Sequence, residues 1–362
     1  MVMLSPFLVD PVFRNRVWGG DRLGPWLAPN SPASDQHQRA RTRGGVGEAW
    51  LIADLPATTL DGKTRISSGD DAGQTLGDLM QNPVHRRALL GRSASMMRQE
   101  DSGFPLLIKL LDAGTNLSVQ VHPDSQYSAR NPHAHMKSEM WLVLEAVTNA
   151  VIYRGVRPEV SRAQFAEHVA ANRLLDILIA VPARKGDCIW LPSGICHALG
   201  AGTLAAEVQT PSDTTFRLWD WGRKDPARPL HLAEAMECLL LGADQQLDQL
   251  DRPRQPIPIH SESISIEPLV RTEWFDVERW VVQPGTTLQH DGIGVPVVWT
   301  ILGGKLAADC LPQPLCRGTT IVLPAEHSGL TGAAADGPLE ILVTTLPDPL
   351  KNTVDFGGSR IA

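Results

Sequence analysis

The chain has 362 residues, enough for one large domain or two ordinary ones. Its 43% hydrophobic and 20% charged residues are the balance of a folded protein and exclude an intrinsically disordered chain. A net charge of −7 argues against a nucleic-acid-binding protein, so an anionic ligand would have to be held by a few placed cations.

The N-terminal residues and the cysteines indicate a location. Residues 1–10 lack the basic segment and long apolar core of a signal peptide. No apolar run approaches the roughly 20 residues that a membrane span needs. The five cysteines are odd in number and irregularly spaced, and Cys310 and Cys316 do not form a C-x-x-C pair, so we expect reduced thiols. We therefore predict a soluble, cytoplasmic protein with no membrane partner.

Short β-like segments, punctuated by 31 Gly and 28 Pro, dominate the first part of the chain. Alternation over residues 116–122 places Ser118, Gln120 and His122 on one face of a predicted strand. Apolar residues spaced by three and four predict helices, the second with Ser161 as its N-cap. The predicted strands are 104–111, 116–122, 140–144, 150–153, 185–191, 204–209 and 214–219, and the predicted helices are 75–90, 162–179 and 232–241.

A polar, proline-rich stretch without a core pattern runs over residues 244–258. We place a domain linker at 246–258, between an N-terminal domain, 1–245, and a C-terminal domain, 259–362. Beyond the linker the pattern is that of strands alone. These are predicted at 275–282, 295–302, 319–323 and 339–344.

Two stretches have the residue types and spacing of a metal site built on neighbouring strands. Residues 114–122 follow the pattern G-x5-Q-x-H, and residues 186–197 follow G-x5-P-x4-H. The pair resembles the signature of the cupin superfamily, with Gln120 in place of the first histidine. Glu139, at the start of the next predicted strand, supplies a carboxylate. The predicted metal ligands are Gln120, His122, Glu139 and His197, and a divalent ion held by one carboxylate keeps a net positive charge suited to a Lewis acid.

A second histidine pair lies close to the first. His133 and His135, followed by Glu139, also look like a cupin H-x-H…E. However, Tyr127 stands where that motif would have its glycine, and the segment is as polar as a loop. A solvated loop is therefore the alternative to a metal site here.

The C-terminal part contains a partial repeat. Residues 318–324 repeat the G-x5-P pattern, but His327 follows the proline after two residues rather than four. The nearest equivalent of the Q-x-H motif ends at His290. We interpret this part as a barrel without a metal, with a second site at His290 and His327 as the alternative.

Longer motifs identify a family. Residues 117–124 (LSVQVHPD), 137–141 (KSEMW), 192–200 (PSGICHALG) and 213–220 (DTTFRLWD) resemble the motifs of type I mannose-6-phosphate isomerases. Residues 11–20 (PVFRNRVWGG) and 47–50 (GEAW) also fit, so the resemblance covers roughly residues 10–235. The length fits the short bacterial form.

The resemblance implies a fold and an activity. The fold is mainly β, with two cupin barrels and a few helices added to the N-terminal half. The activity is the interconversion of D-mannose 6-phosphate and D-fructose 6-phosphate, by metal-assisted proton transfer between C1 and C2 through a cis-enediol. The implied cofactor is one Zn²⁺ per chain, with other divalent ions as alternatives. The implied roles are Gln120, His122, Glu139 and His197 as zinc ligands, Arg217 and Lys137 as catalytic residues, and Ser118, Lys109, Glu48 and Trp18 as substrate contacts, the last two alternatively packing the N-terminal strands.

Several alternatives stay open at this point. The proton-transferring base is Lys137, a metal-bound water or hydroxide, or an acid such as Glu207 or Asp213. The protein is a monomer or a homodimer. The competing functions are another metal cupin, such as a phosphoglucose isomerase or a dioxygenase, and a non-catalytic bicupin that binds a sugar phosphate.

Overall fold

The computed structural model describes residues 3–27, 45–56, 59, 62–97, 103–245, 259–350 and 359–361. The predicted linker, 246–258, lies outside these residues, so the domain boundary stays a prediction.

Within the described residues the chain forms 22 strands, six α-helices and three short 3-10 helices. The strands are β1 (Phe7–Asp10), β2 (Val12–Gly20), β3 (Val46–Ile52), β4 (Arg65–Ile66), β5 (Leu107–Asp112), β6 (Val119–Val121), β7 (Glu139–Ala146), β8 (Val151–Val156), β9 (Leu178–Pro182), β10 (Cys188–Leu191), β11 (His197–Leu199), β12 (Thr203–Gln209), β13 (Phe216–Trp219), β14 (Ile259–His260), β15 (Ile264–Arg271), β16 (Asp276–Val282), β17 (Thr287–His290), β18 (Val297–Ala308), β19 (Leu315–Cys316), β20 (Thr320–Leu323), β21 (Leu330–Thr345) and β22 (Ser359–Ile361). The α-helices are α1 (Leu23–Leu27), α2 (Leu76–Gln81), α3 (Pro83–Leu90), α4 (Ser125–Arg130), α5 (Arg162–Ala170) and α6 (Leu232–Cys238), and the 3-10 helices are Gly91–Met96, Leu174–Asp176 and Gly242–Gln245.

Two antiparallel sheets form the barrel of the N-terminal half. One has the strand order β10-β7-β12-β5-β3-β2 and the other β13-β6-β11-β8-β9. Their inner faces share an apolar core in which Leu111 and Trp141 of the first sheet cluster with Ile152 and Leu199 of the second. Because side chains alternate along a strand, polar residues that point inward must lie between these two sheets.

A third sheet of 11 strands contains the C-terminal strands together with β1 and β4. β1 pairs with β20, with Phe7 opposite Val322. Phe7 also belongs to an apolar core that contains Ile52 of the first half and Phe275 of the second. The two halves are therefore joined by backbone pairing and by a common core.

The mainly β fold with helices added to the N-terminal half is confirmed. Residues 259–350 and 359–361 contain strands and no helix, as predicted. The capping box of Ser161 and Gln164 at the start of α5 confirms the predicted N-cap. None of the described helices combines the length and apolar character of a membrane-spanning segment.

The predicted helix over residues 75–90 is wrong as a single element, because the chain breaks at Asn82. The Asn82 side chain accepts hydrogen bonds from the backbone N–H groups of Val84 (3.0 Å) and His85 (3.2 Å), and so caps α3. Pro83 has no N–H to continue α2 but suits the first position of α3.

The other two predicted helices are too long at their C-terminal ends. α5 ends at Ala170. Asn172 adopts a positive φ of 55°, a left-handed backbone conformation that cannot form part of a right-handed α-helix. β9 then occupies residues that we predicted as helical. α6 ends at Cys238, and the N–H of Leu240 donates to the carbonyl of Gly194 instead of to its own helix.

We expect Asn82→Ala to lower the free energy of unfolding by about 1 kcal/mol, because two N–H groups at the start of α3 lose their acceptor. Chemical denaturation measures the change. Gln81→Ala is the matched control, since Gln81 is the exposed last residue of α2, and we expect it to change stability by less than about 0.5 kcal/mol. Equal effects of the two substitutions would contradict the capping role.

Candidate metal centre

Gln120 lies on β6, an inner strand of the five-stranded sheet. β6 pairs on one side with β11 and on the other with β13. The register places His197 opposite Gln120 on the first side and Arg217 opposite it on the second. Three residues from separate motifs are therefore lateral neighbours on one sheet.

Glu139 reaches the same point from the six-stranded sheet, as the first residue of β7. Its Oε1 lies 3.1 Å from Nε2 of His197, and its Oε2 lies 3.6 Å from Nε2 of His122. The ligand atoms of these three residues all lie within 4.8 Å of one another. Among the described residues, this is the one group of three or more His, Cys, Asp or Glu side chains whose ligand atoms lie this close together.

Backbone carbonyls orient the two imidazoles. Nδ1 of His122 lies 3.0 Å from the carbonyl oxygen of Thr214, and Nδ1 of His197 lies 2.8 Å from that of Ile195. Because a carbonyl only accepts, each Nδ1 carries the proton, and each Nε2 presents its lone pair towards Glu139. The ring of Trp141 packs edge-on against His197, at 5.4 Å between centroids and 81°.

The centre is closed to solvent, and this sets the charge of its members. His122 is 1% exposed, and Glu139 and His197 are fully buried. Burial, aided by the ammonium of Lys137, lowers the pKa of His122 to about 3, so the ring is neutral at physiological pH. Burial opposes ionisation of Glu139, but the ammonium of Lys137 outweighs it and holds the pKa of the carboxyl well below its usual value.

The polar atoms of the centre lack ordinary partners. Among the described residues, Nε2 of His122 and both carboxylate oxygens of Glu139 are buried without a hydrogen bond, although Nζ of Lys137 lies 2.6 Å from Oε2 as an ion pair. Gln120 Nε2 faces His197 Nε2 at 3.3 Å, and a half-turn of the amide would present Oε1 instead. Two imidazoles, a carboxylate and an amide oxygen fit a divalent metal, which would satisfy all of these atoms.

A second group of buried charges lies beside the centre on the six-stranded sheet. Glu207 on β12 stands opposite Lys109 on β5 and Trp141 on β7. Its Oε1 lies 3.1 Å from Nζ of Lys109, and its Oε2 accepts a hydrogen bond of 2.8 Å from Nε1 of Trp141. Trp141 thus connects the charges of this sheet to the ring of His197.

Glu48 on β3 continues this group. It accepts two hydrogen bonds from the guanidinium of Arg16, at 3.0 and 2.9 Å, and one of 2.6 Å from Nε1 of Trp50. Burial opposes its ionisation, yet Lys109 and Arg16 prevail and lower the pKa of Glu48 to about 2. The sequence assigned a role to Glu48 but not to Arg16, because a contact between residues 32 positions apart leaves no local pattern.

Ser118, Trp18 and Arg217 differ in their surroundings. The hydroxyl of Ser118 donates to Oε1 of Gln120 at 3.3 Å. Trp18 is 4% exposed and lies in the apolar cluster of the barrel. This position agrees with the alternative in which Trp18 packs the N-terminal strands. Burial, with the nearby Arg228, lowers the pKa of Arg217. Its Nε is buried without a hydrogen bond to any described residue.

The residues around the centre carry an excess of positive charge. Four cations, Arg16, Lys109, Lys137 and Arg217, face three carboxylates, Glu48, Glu139 and Glu207, so one positive charge is left before any metal binds. A site of this kind suits an anionic substrate even though the whole chain is acidic.

The alternative histidines lie elsewhere. His133 and His135 are exposed in the loop before β7, as the solvated-loop alternative requires. His290 and His327 lie in the C-terminal half, where Nδ1 of one contacts Nε2 of the other at 3.1 Å. Neither pair joins a third His, Cys, Asp or Glu ligand among the described residues.

Known proteins resemble both the sequence and the fold. Residues 7–144 match the model of the phosphomannose isomerase type I catalytic domain. A mannose-6-phosphate isomerase of Streptococcus mutans is 28% identical over 347 residues, which cover 94% of this chain and 98% of that one. The crystal structure of the mannose 6-phosphate isomerase from Bacillus subtilis is 26% identical, with a TM-score of 0.77 over 94% of this chain and 99% of that one. A zinc-bound mannose 6-phosphate isomerase is similar in fold alone, with 14% identity and a TM-score of 0.67 over 95% of this chain and 100% of that one.

We expect His197→Ala to weaken binding of zinc by more than about 100-fold, since one of the oriented imidazole ligands is lost. Competition with a fluorescent chelator measures the affinity. His133→Ala, which removes an exposed imidazole from the neighbouring loop, is the matched control and should leave the affinity unchanged. If His133→Ala weakened zinc binding more than His197→Ala, the metal would be bound at the loop that carries His133.

Proposed function

We propose that the chain is a type I phosphomannose isomerase and that it interconverts D-mannose 6-phosphate and D-fructose 6-phosphate at the centre formed by Gln120, His122, Glu139 and His197. The observation that carries the proposal is that residues from separate motifs meet at one buried point, where Nε2 of His122 and both oxygens of Glu139 lack hydrogen bonds. The substrate is a small sugar phosphate, and the enzyme is a cytoplasmic monomer or homodimer. We assign the reaction to residues 1–245 and a packing role to 259–362.

Zinc is the proposed ion. A mannose 6-phosphate isomerase of the same fold has been solved with zinc bound, and the side chains of the centre are ones that zinc accepts. When bound, the ion supplies a Lewis acid that stabilises negative charge on the substrate oxygens.

Lys137 supplies positive charge beside the reacting carbons. The reaction removes a carbon-bound proton and leaves negative charge on the oxygens of C1 and C2. Burial alone would favour neutral Lys137, but Glu139 and Glu207 outweigh it and raise its pKa, so the side chain is an ammonium at neutral pH. In this form it donates a hydrogen bond to a substrate oxygen rather than accepting a proton from carbon.

Arg217 faces the same space from β13. It neighbours Gln120 across the sheet, and its Nε has no competing acceptor among the described residues. Although burial lowers its pKa, a guanidinium stays charged at any physiological pH. We assign it the orientation of the open-chain sugar and the stabilisation of the enediolate.

The remaining contacts hold the substrate away from the reacting carbons. We assign Lys109 and Ser118 to this role, with Glu207 and Glu48 fixing the position of the ammonium of Lys109. Trp18 supports the wall that excludes water, because it lies in the apolar cluster with Leu111 and Trp141. Binding energy from the phosphate end can then fix the geometry of C1 and C2.

We expect purified protein to form fructose 6-phosphate from mannose 6-phosphate, and removal of the metal by a chelator to lower the rate by more than about 100-fold. Zinc should restore it. His197→Ala should stay inactive after zinc is added, while His133→Ala should behave as the unmodified chain. A folded, metal-replete protein with no turnover would contradict the isomerase and favour a sugar-phosphate-binding bicupin.

We expect Arg217→Lys to lower kcat/KM by about 100-fold while zinc content stays the same, because an ammonium cannot replace the two-pronged hydrogen bonding of a guanidinium. Steady-state kinetics and metal analysis of the same sample measure both quantities. Arg157→Lys is the matched control on the exposed surface and should change neither. An unchanged kcat/KM in the Arg217→Lys variant would contradict a catalytic role for this guanidinium.

A further inference from the structure

The strand that carries Arg217 lies at an edge of its sheet. Among the described strands, β13 pairs with β6 alone, and Arg217 stands opposite Gln120. The register of this pairing shifts between Arg217 and Trp219, so the strand bulges directly after Arg217. An edge strand leaves backbone N–H and C=O groups without a partner in the sheet. The backbone of Arg217 must therefore be held from outside the sheet.

His231 supplies both of the partners that this backbone needs. The N–H of His231 donates to the carbonyl oxygen of Arg217 at 2.9 Å, and the N–H of Arg217 donates to Nδ1 of the His231 ring at 3.3 Å. A single residue thus replaces a neighbouring strand at this point. The ring of Phe216 lies 6.0 Å from the imidazole, between centroids, and packs edge-on against Tyr127 on its other side, so the imidazole has a fixed neighbour.

This use of the imidazole is unusual for its position in the fold. His231 is the N-cap of α6, where a side chain commonly accepts a hydrogen bond from the first turn of the helix. The imidazole makes no such bond, and its acceptor nitrogen is directed to Arg217 instead. Leu232 and Ala233, the first residues of the helix, are exposed, so water can reach their N–H groups. The side chain therefore serves the strand and not the helix.

The guanidinium of Arg217 depends on this backbone for its direction. Its Nε is buried without a hydrogen bond to any residue that the structure describes. The side chain is therefore directed mainly by the backbone from which it extends. A misplacement of about 1 Å at a reacting centre can lower a rate by about 100-fold, so a small shift of β13 would be felt in the reaction.

We propose that His231 is a positioning residue, which holds the backbone of Arg217 and thereby directs its guanidinium towards the substrate. The inference rests on the function proposed above for Arg217, and it assigns no contact between His231 and the substrate. Because Nδ1 must accept the hydrogen bond, the proton of the neutral ring lies on Nε2.

The contact requires a neutral imidazole. The charged groups that act on it are Arg217 of β13 and Glu234 of α6. Burial, aided by the guanidinium of Arg217, lowers the pKa of His231, and the carboxylate of Glu234 opposes this shift. Nδ1 can therefore accept at neutral pH. As the pH falls through this lowered pKa, Nδ1 gains a proton and the contact is lost.

Two substitutions separate the acceptor from the rest of the side chain. His231→Asn places Oδ1 where Nδ1 was and also suits an N-cap, whereas His231→Leu has no acceptor. We expect His231→Leu to lower kcat by about tenfold with KM and zinc content unchanged, and His231→Asn to keep kcat within about twofold. His168→Leu is the matched control, because this imidazole contacts the carbonyl of Gln164 in its own helix at 2.8 Å, and it should change none of these quantities.

The pH dependence gives a readout that a purely structural role would not move. Since the amide of His231→Asn does not titrate, the ratio of its kcat/KM to that of the unmodified chain should rise as the pH is lowered from about 7 to about 5. Ionisation of the substrate phosphate affects both proteins and cancels in the ratio. A ratio that stays constant would overturn the inference, and this measurement holds even if His231→Leu does not fold.

Amide hydrogen exchange, followed by mass spectrometry of peptides that cover β13, tests the contact without turnover. We expect the N–H of Arg217 to exchange faster in His231→Leu and to stay protected in His231→Asn. This result in a chain that shows no turnover would support the positioning of Arg217 and count only against the proposed isomerase. Equal exchange and equal kcat in the two variants would overturn the positioning role.

Discussion

Glu139 places a negative charge in a part of the barrel that water does not reach. An isolated carboxylate there would be costly, and the surrounding residues are arranged to offset that cost. The ammonium of Lys137 lies 2.6 Å from one oxygen and supplies part of that offset. Nε2 of His197 lies 3.1 Å from the other oxygen, and a metal held by both groups would supply the rest. Since β7 carries Glu139 in one sheet and β11 carries His197 in the other, the two sheets meet at this point.

The charges beyond Glu139 follow from that arrangement. Lys109 and Glu207 alternate in sign across neighbouring strands, and Trp141 connects Glu207 to the ring of His197. Each carboxylate has a cation within reach, so none pays the full cost of burial, while the small surplus of positive charge is left for an anionic substrate. Removal of any one member leaves a neighbour unpaired, and for this reason we expect the candidate metal centre and the proposed substrate contacts to behave as one network.

Much of the candidate site could be predicted from the sequence, because the side chains that meet there lie in short motifs. Gln120 and His122 are two residues apart on a strand and therefore share a face, and spacing from a glycine placed His197. The pairing of Arg16 with Glu48, and of β1 with β20, could not be predicted, since each joins segments that no local pattern relates. The break at Asn82 is different: the Asn-Pro sequence did indicate it, but the apolar periodicity on both sides outweighed that indication.

The C-terminal half shows how a pair of histidines is arranged where no buried carboxylate joins it. His290 packs edge-on against Trp299 at 5.6 Å and 84°, much as His197 packs against Trp141, and it too contacts a second histidine. Here, however, no carboxylate oxygen lies within 4.8 Å of ligand atoms of both rings among the described residues, and burial lowers the pKa of His290 to about 3. The two rings share one hydrogen bond of 3.1 Å, and Nδ1 of His327 also accepts one of 3.0 Å from the backbone N–H of Gly329, so no buried charge of this pair remains for a metal to neutralise. In this fold two convergent histidines therefore form a packing contact, and it is the buried carboxylate that makes such a pair a metal centre.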